Sequence, residues 1–200
     1  MTQRRLTGDE TFHHFGTDAG DGADAATAPT VLDFWRWSMS DLLSNATRGL
    51  VAEFLVGSAL GAVSGVRHEW DAVDLVTPEG VRVEVKSAAY VQSWEQTKPS
   101  TIQFSVAHTK AWIRETGKYE EQSKRQADVY VFALLGQRES PQAEPRDLGQ
   151  WQFFVLATKQ LDEALGDQQS LSLSRLEALG PRKVDYAGLT AAVAHASRRE

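Results

Sequence analysis

Two segments of alternating apolar and polar residues, joined by one tight loop, constrain the fold of this chain more than any other feature. Apolar and polar residues alternate over residues 70–76 and again over residues 81–91, and the loop Pro78-Glu79-Gly80 lies between them. Alternation with a period of two predicts β-strands. A three-residue hairpin loop commonly ends on a residue in the left-handed conformation, which suits glycine. We therefore predict an antiparallel hairpin in which Thr77 pairs with Val81.

This register places two carboxylates side by side. Counting three residues back from Thr77 and three forward from Val81 puts Asp74 opposite Glu84, with Cβ atoms about 4.5–5.5 Å apart. Lys86 points to the same face as Glu84 because side chains alternate, and it lies roughly 7–8 Å from Asp74 on the diagonal. Val83 and Val85 lie on the opposite face. Like charges so placed are destabilising unless something positive lies between them, and a divalent cation bound by hard oxygens, such as Mg²⁺, would resolve the repulsion.

The segment before the hairpin is predicted to be a buried helix with one carboxylate. Residues 48–63 are apolar on nearly all sides, which is typical of a buried helix. Ser44, Asn45 and Thr47 are alternative N-caps for it. Glu53 is its only carboxylate. Two interpretations of Glu53 stay open: a functional group near the hairpin, or a helix charge that reaches solvent or pairs with an arginine.

The rest of the chain predicts an α/β fold made of one three-layer domain, in which helices flank a central mixed β-sheet. A capping pair, Thr30 and Asp33, marks a first helix, and Ser174-x-x-Glu177 marks a short one near the C-terminus. Further strands are predicted at residues 102–106, 128–135, 151–157 and 171–173, and further helices at residues 110–125, at residues 159–165 and from about Tyr186.

Composition limits the classes of protein that remain. The absence of cysteine excludes disulfides and thiolate metal sites, and no segment has the roughly 18 uninterrupted apolar residues of a membrane span, so we expect a cytoplasmic protein without membrane contact. The net charge of −6 disfavours broad coating of nucleic acid. Half of that charge lies in residues 1–29, which we predict to be a flexible acidic tail before an α/β domain at residues 30–200. Its core is expected at about residues 48–157, with a C-terminal helical elaboration at residues 158–200.

The hairpin and the helix together carry a family resemblance. Asp74, nine intervening residues and then Glu84-Val85-Lys86, preceded by Arg48-Gly49-x-x-Ala52-Glu53, resemble the PD-(D/E)XK nuclease superfamily with its restriction-endonuclease-like fold. The resemblance covers about residues 48–92, with a compatible strand order to about residue 157. Two departures stand out: Val73 replaces the proline that often precedes the aspartate, and Asp71 is a rival aspartate.

The resemblance implies Mg²⁺-dependent hydrolysis of DNA phosphodiester bonds, with Mn²⁺ able to replace Mg²⁺. Asp74, Glu84 and the Val85 carbonyl would bind the metal. Glu53 would bind a water ligand of the metal or a second metal ion. Lys86 would orient the attacking water and offset negative charge in the transition state. In-line attack would leave a 5′-phosphate and a 3′-hydroxyl.

Three residues are candidates for substrate contact. Gln92 follows Lys86 by six residues, and Lys110 and Arg114 share one face of the predicted helix with Lys118, beside the site. An ordinary solvated helix with ion pairs is the alternative for that face.

We expect nucleic acid, DNA in the first place, as the partner, in a restriction, defence or repair context. Two other functions stay open: a nuclease-fold protein that binds nucleic acid or a partner protein without cutting it, and an unrelated hydrolase that uses the two carboxylates. A homodimer also stays open, as does a choice between DNA and RNA.

Overall fold

The computed structural model of the chain describes residues 5–12, 28–69, 71–113 and 116–198. Its α-helices are α1 (Val31–Met39), α2 (Asn45–Ala59), α3 (Thr158–Leu165), α4 (Leu173–Ala178) and α5 (Leu189–Ala196). Its strands are β1 (Leu75–Val76), β2 (Arg82–Ala89), β3 (Gln103–Ser105), β4 (Trp112–Ile113), β5 (Lys118–Tyr119), β6 (Val129–Leu135), β7 (Trp151–Ala157), β8 (Ser170–Ser172) and β9 (Arg182–Val184).

The main sheet has five strands in the order β1-β2-β6-β7-β9. Strands β2 and β6 are parallel, whereas the other neighbours are antiparallel. Every residue of β6 is buried, which agrees with its central place and its unbroken apolar sequence. Two small antiparallel pairs, β3 with β8 and β4 with β5, lie outside the main sheet.

Two hydrophobic cores place helices on both faces of the main sheet. One core joins α2 and α5 to side chains of the sheet that include Val83 and Val85. The other joins α3 and α4 to the opposite face and to β3 and β8. This arrangement confirms the predicted α/β class and its central mixed sheet flanked by helices. Among the described residues, no helix has the length and apolar character needed to cross a membrane.

The predicted hairpin register is confirmed. Leu75 pairs with Val83, and the Thr77 N–H donates to the Val81 carbonyl at 2.9 Å. Gly80 closes the loop with φ +86°, in the left-handed region that the loop requires, and its N–H donates to the Thr77 carbonyl at 2.8 Å. Local loop chemistry therefore sets the alignment of the two strands.

The first hairpin strand is shorter than the predicted residues 70–76, because only two residues of β1 pair regularly. In a longer antiparallel ladder, the Val85 N–H would bond the carbonyl of Val73. It instead donates to Asp74 Oδ2 at 2.7 Å, so the aspartate side chain caps the end of the ladder. Trp70 lies outside the described residues.

The helix predicted for residues 110–125 is wrong. Strands β4 and β5 form a hairpin there, and Gly117 in the turn has φ +63°, which a helix does not accommodate. The rings of Trp112 and Tyr119 pack edge to face with centroids 5.0 Å apart. Aromatic side chains favour strands over helices, and this cross-strand contact stabilises the hairpin.

Other element ends differ from the prediction by a few residues. Helix α2 starts three residues early because Ser44 caps it through the Thr47 N–H, and it ends before Gly61, whose φ is +65°. Ser172 caps α4 in place of the predicted Ser174. Strand β9 was not predicted, and α5 starts after the predicted Tyr186.

Part of the predicted tail contacts the domain. The backbone of residues 5–12 forms hydrogen bonds with residues 29–32, among them Gly8 carbonyl to Leu32 N–H at 2.9 Å. The capping box of Thr30 and Asp33 is confirmed at the same place, at the start of α1. The other residues of the predicted tail, 1–4 and 13–27, lie outside the described residues.

We expect Gly80→Ala to lower the free energy of unfolding by about 1–2 kcal/mol, since an L-residue is strained at this positive φ. Gly49→Ala is the matched control. Gly49 lies inside α2 with open space around its missing Cβ, so alanine should raise stability there by about 0.4–1 kcal/mol. Thermal unfolding of both variants checks the pair, and an unchanged melting temperature for Gly80→Ala would contradict the turn assignment.

Candidate functional site

Asp74 and Glu84 meet at the edge of the sheet where β1 ends. Continuing the observed register by one residue places Asp74 opposite Glu84. Asp74 Oδ2 accepts from the N–H of Val85, the residue next to Glu84, at 2.7 Å, and both carboxylates line the same cavity. The structure therefore brings together the two carboxylates that the hairpin predicted.

Lys86 joins this pair through Glu84. Its Nζ lies 2.5 Å from Glu84 Oε1, and both side chains are mostly buried, with 29% of the lysine and 16% of the glutamate exposed. Burial raises the pKa of Glu84 above its usual value, the charge of Asp74 raises it further, and Lys86 acts against both. The lysine therefore offsets only part of the negative charge that the strands concentrate here.

Tyr130 supplies the neighbouring wall of the site. It lies beside Glu84 in the parallel pairing of β2 with β6, and it is buried. Burial, followed by the charge of Glu84, raises the pKa of its phenol, which stays neutral at ordinary pH. A buried, uncharged wall of this kind strengthens electrostatic interactions among the charged groups beside it.

Glu53 approaches the same edge from α2 and is bound by an arginine that the sequence did not single out. The Arg67 Nε donates to both carboxylate oxygens of Glu53, at 2.7 and 2.9 Å. The bond to Glu53 raises the pKa of Arg67, and the charge of Asp74 adds to this effect. This pairing agrees with the interpretation of Glu53 as a helix charge that pairs with an arginine. Arg67 lies in an irregular segment between α2 and β1, where no periodicity reveals its partner.

Asp74 lies between two adjoining cavities. One, of about 300 Å³, is lined by Glu53 and Asp74, and the other, of about 210 Å³, by Asp74 and Glu84. Asp71 lines both, so it stays the rival of Asp74 as a metal ligand. The carboxylates are thus accessible to a ligand although their side chains are largely buried.

The donor set suits a hard cation with few protein ligands. Within the described residues, no three histidine or carboxylate side chains form a complete metal site. Two adjacent carboxylates, Asp74 and Glu84, nevertheless leave negative charge that Lys86 only partly offsets. Mg²⁺ is commonly held by one or two carboxylates together with waters and substrate phosphate, so these residues fit it.

Gln92 is a buried residue with protein partners. Its side-chain oxygen accepts from Arg48 Nη1 at 3.0 Å, and its amide nitrogen donates to the Ala89 carbonyl at 2.8 Å. The structure does not bring Gln92 to the carboxylate pair, and its predicted contact with substrate stays a prediction.

Of the other two substrate candidates, Lys110 is exposed and lines the cavity that contains Asp74 and Glu84. Arg114 lies outside the described residues. The basic helical face that would join both to Lys118 is wrong, because the segment is a β-hairpin.

The raised pKa of Glu84 predicts a pH dependence of stability. In the metal-free protein the folded state binds the proton of Glu84 more tightly than the unfolded chain does, so this contribution to the free energy of unfolding is full below pH 4.5 and is lost as the pH rises through the raised pKa. Glu84→Gln, which cannot titrate, should flatten the stability curve above pH 4.5. Denaturant unfolding at a series of pH values, with and without Mn²⁺, measures this, and identical curves for both proteins would contradict the electrostatic description.

Comparison with known proteins adds a family to this geometry. The family model for bacteriophage T4 endonuclease IV matches residues 26–175, which include the carboxylates, Lys86 and the four main-sheet strands up to β7. No curated protein matches the chain. Since the match covers well over half of the sequence, this chain belongs to the bacteriophage T4 endonuclease IV family.

Proposed function

We propose that this protein is a Mg²⁺-dependent endonuclease of the PD-(D/E)XK type that hydrolyses phosphodiester bonds in DNA. The family match points to an endonuclease. The single observation that supports the finer proposal is the register of β1 with β2, which, extended by one residue, puts Asp74 beside Glu84, the partner of Lys86. A defence, restriction or repair system is the setting that we propose for such an enzyme.

The metal ligands we propose are Asp74, Glu84 and the carbonyl of Val85. In a strand, the N–H and the carbonyl of one residue point to the same side. Since the Val85 N–H donates to Asp74, its carbonyl also points to the side of β2 on which Asp74 lies. A bound Mg²⁺ would lower the pKa of a water molecule and offset charge on the substrate phosphate.

The chain's own residues have separate tasks in this proposal. Lys86, held by Glu84, orients the attacking water and neutralises charge that develops on the phosphate oxygens. Lys110, on the wall of the same cavity, attracts the phosphate backbone. Glu53 becomes available to a second metal or a water only where Arg67 turns away, so we assign it a secondary role.

Metal-dependent DNA cleavage tests the proposal directly. Supercoiled plasmid and a matched RNA are incubated with the protein and Mg²⁺, Mn²⁺ or a chelator. We expect nicked plasmid only with metal, and nicks that DNA ligase seals, because the products keep a 5′-phosphate and a 3′-hydroxyl. Cleavage that persists in chelator, or nicks that ligase cannot seal, would contradict the proposed chemistry.

A non-cutting protein would behave differently in the same experiment. It would bind the plasmid in a gel-shift assay while leaving it supercoiled, and calorimetry would detect no binding of Mn²⁺. Preferential cleavage of the RNA would retain the chemistry and change the substrate.

A further inference from the structure

A third cavity, mainly polar, lies beside residues 87–89 of β2, beyond Glu84 and Lys86 along the strand. Its volume is about 350 Å³, and it lies where the start of α2 meets the end of β2 and the start of β3. Polar side chains make up most of its lining, Trp94 also belongs to it, and none of the described lining residues is acidic. Among the described residues of this lining, Arg48 alone is charged.

Arg48 is buried, with only 4% of its surface exposed, yet its guanidinium is paired with no carboxylate of the described residues. Its Nε donates to Ser87 Oγ at 3.1 Å, and its Nη2 donates to Asn45 Oδ1 at 2.8 Å. Its Nη1 donates to the Leu43 carbonyl and to Gln92 Oε1. Four of the five N–H groups of an arginine are thus bonded, all to neutral acceptors.

A buried charge without a counter-ion is unfavourable, and proteins normally pair it. Burial lowers the pKa of Arg48, and no acid in the described part of the chain acts in the opposite direction. The neutral acceptors hold the guanidinium in one orientation and leave its charge available to the cavity. A planar, fixed guanidinium suits tetrahedral phosphate, and the N-terminal end of α2, where Asn45 lies, adds positive potential.

We propose that this cavity is a binding site for a phosphate group of the nucleic acid, with Arg48 as its charged ligand. Trp94, which is exposed at the rim, is placed to contact the attached base or sugar. Among the described residues, this cavity shares no lining residue with the two cavities beside Asp74. Ser87 directly follows Lys86 on β2, so the cavity would hold the strand at a second point close to the cleavage centre. The assignment of the phosphate to a nucleic acid rests on the proposed function, whereas binding of phosphate as such does not.

Binding of inorganic phosphate in chelator tests the site without any cleavage. Gln103, an exposed lining residue, permits Gln103→Glu, which keeps the size of the side chain and adds a negative charge. We expect this variant to weaken phosphate binding about fivefold or more. Gln169→Glu is the matched control, because Gln169 is exposed and does not line the cavity. Lys86→Ala should retain phosphate binding.

Arg48→Gln should abolish phosphate binding where the variant folds, and circular dichroism reports whether it does. If Arg48→Gln does not fold, the Gln103→Glu variant still tests the site. Absence of saturable phosphate binding by the unmodified protein, or equal binding by it and Gln103→Glu, overturns the site. A loss in Lys86→Ala together with retention in Gln103→Glu would move the anion to the cleavage centre and likewise overturn it.

Two oligonucleotides of one sequence, with and without a 5′-phosphate, identify the source of the phosphate. Weaker binding of both by Gln103→Glu indicates a backbone phosphate, and weaker binding of the phosphorylated strand alone indicates a terminal one. Either result supports the proposal, and unchanged binding of both overturns the assignment to nucleic acid. Since these measurements are made in chelator, a protein that fails to cut DNA can still pass them.

Discussion

Lys86→Ala is expected to reduce metal-dependent DNA cleavage by a factor of about 10²–10³, the usual effect of removing one group that stabilises transition-state charge. The lysine is held 2.5 Å from Glu84 in a partly buried setting, and the methyl group of alanine supplies no positive charge there. Metal binding should persist, because the proposed ligands remain. Single-turnover cleavage of a labelled oligonucleotide, with Mn²⁺ binding measured on the same sample, separates these two effects.

Lys159→Ala is the control for this substitution, since Lys159 is an exposed residue of α3 outside both cavities next to Asp74. Its cleavage rate should equal that of the unmodified protein. Lys86→Arg tests whether a positive charge alone is enough for cleavage. The arginine side chain can keep the ion pair with Glu84 but has no compact ammonium group to orient water. Equal cleavage by Lys86→Ala and the unmodified protein would remove Lys86 from the mechanism.

The parts of the site that follow from local rules could be predicted from the sequence. The loop that ends at Gly80 sets the register, and the alternation of side chains then places Asp74, Glu84 and Lys86 on one face. The same alternation puts Val83 and Val85 into the opposite core. The mixed sheet was predictable because β6 and β7 are short apolar segments of central-strand type.

The parts that depend on contacts between distant segments could not be predicted. Arg67 binds Glu53 from an irregular segment, and Arg48 reaches Gln92, which is 44 residues away. The helix prediction for residues 110–125 was wrong for a different reason. Charged residues at four-residue spacing resemble one face of a helix, but the contact of Trp112 with Tyr119 across a turn stabilises a hairpin.

Asp74→Asn is expected to have two opposite effects, a loss of metal-dependent cleavage and a gain in stability of the metal-free protein. Cleavage should fall by at least about a hundredfold, because the neutral amide is a poor ligand for Mg²⁺ and changes even to outer-shell partners of metal ligands reduce activity 10–100-fold. Stability should rise by up to about 1 kcal/mol, because like charges on directly opposed strand residues destabilise by about that amount. The amide oxygen can still accept the Val85 N–H that Asp74 Oδ2 accepts at 2.7 Å, so the ladder end stays capped.

These opposite signs distinguish a metal site from a purely structural pair of acids. Loss of Mn²⁺ binding together with a higher metal-free melting temperature indicates that Asp74 is maintained for metal binding at the expense of stability. Glu53→Gln is the comparison. Arg67 binds both oxygens of the Glu53 carboxylate, so replacing that carboxylate by an amide should lower stability. Asp71→Asn tests the rival ligand in the same assay. If Asp74→Asn lowers stability and leaves Mn²⁺ binding unchanged while Asp71→Asn abolishes it, Asp71 is the ligand and Asp74 serves only to cap β1.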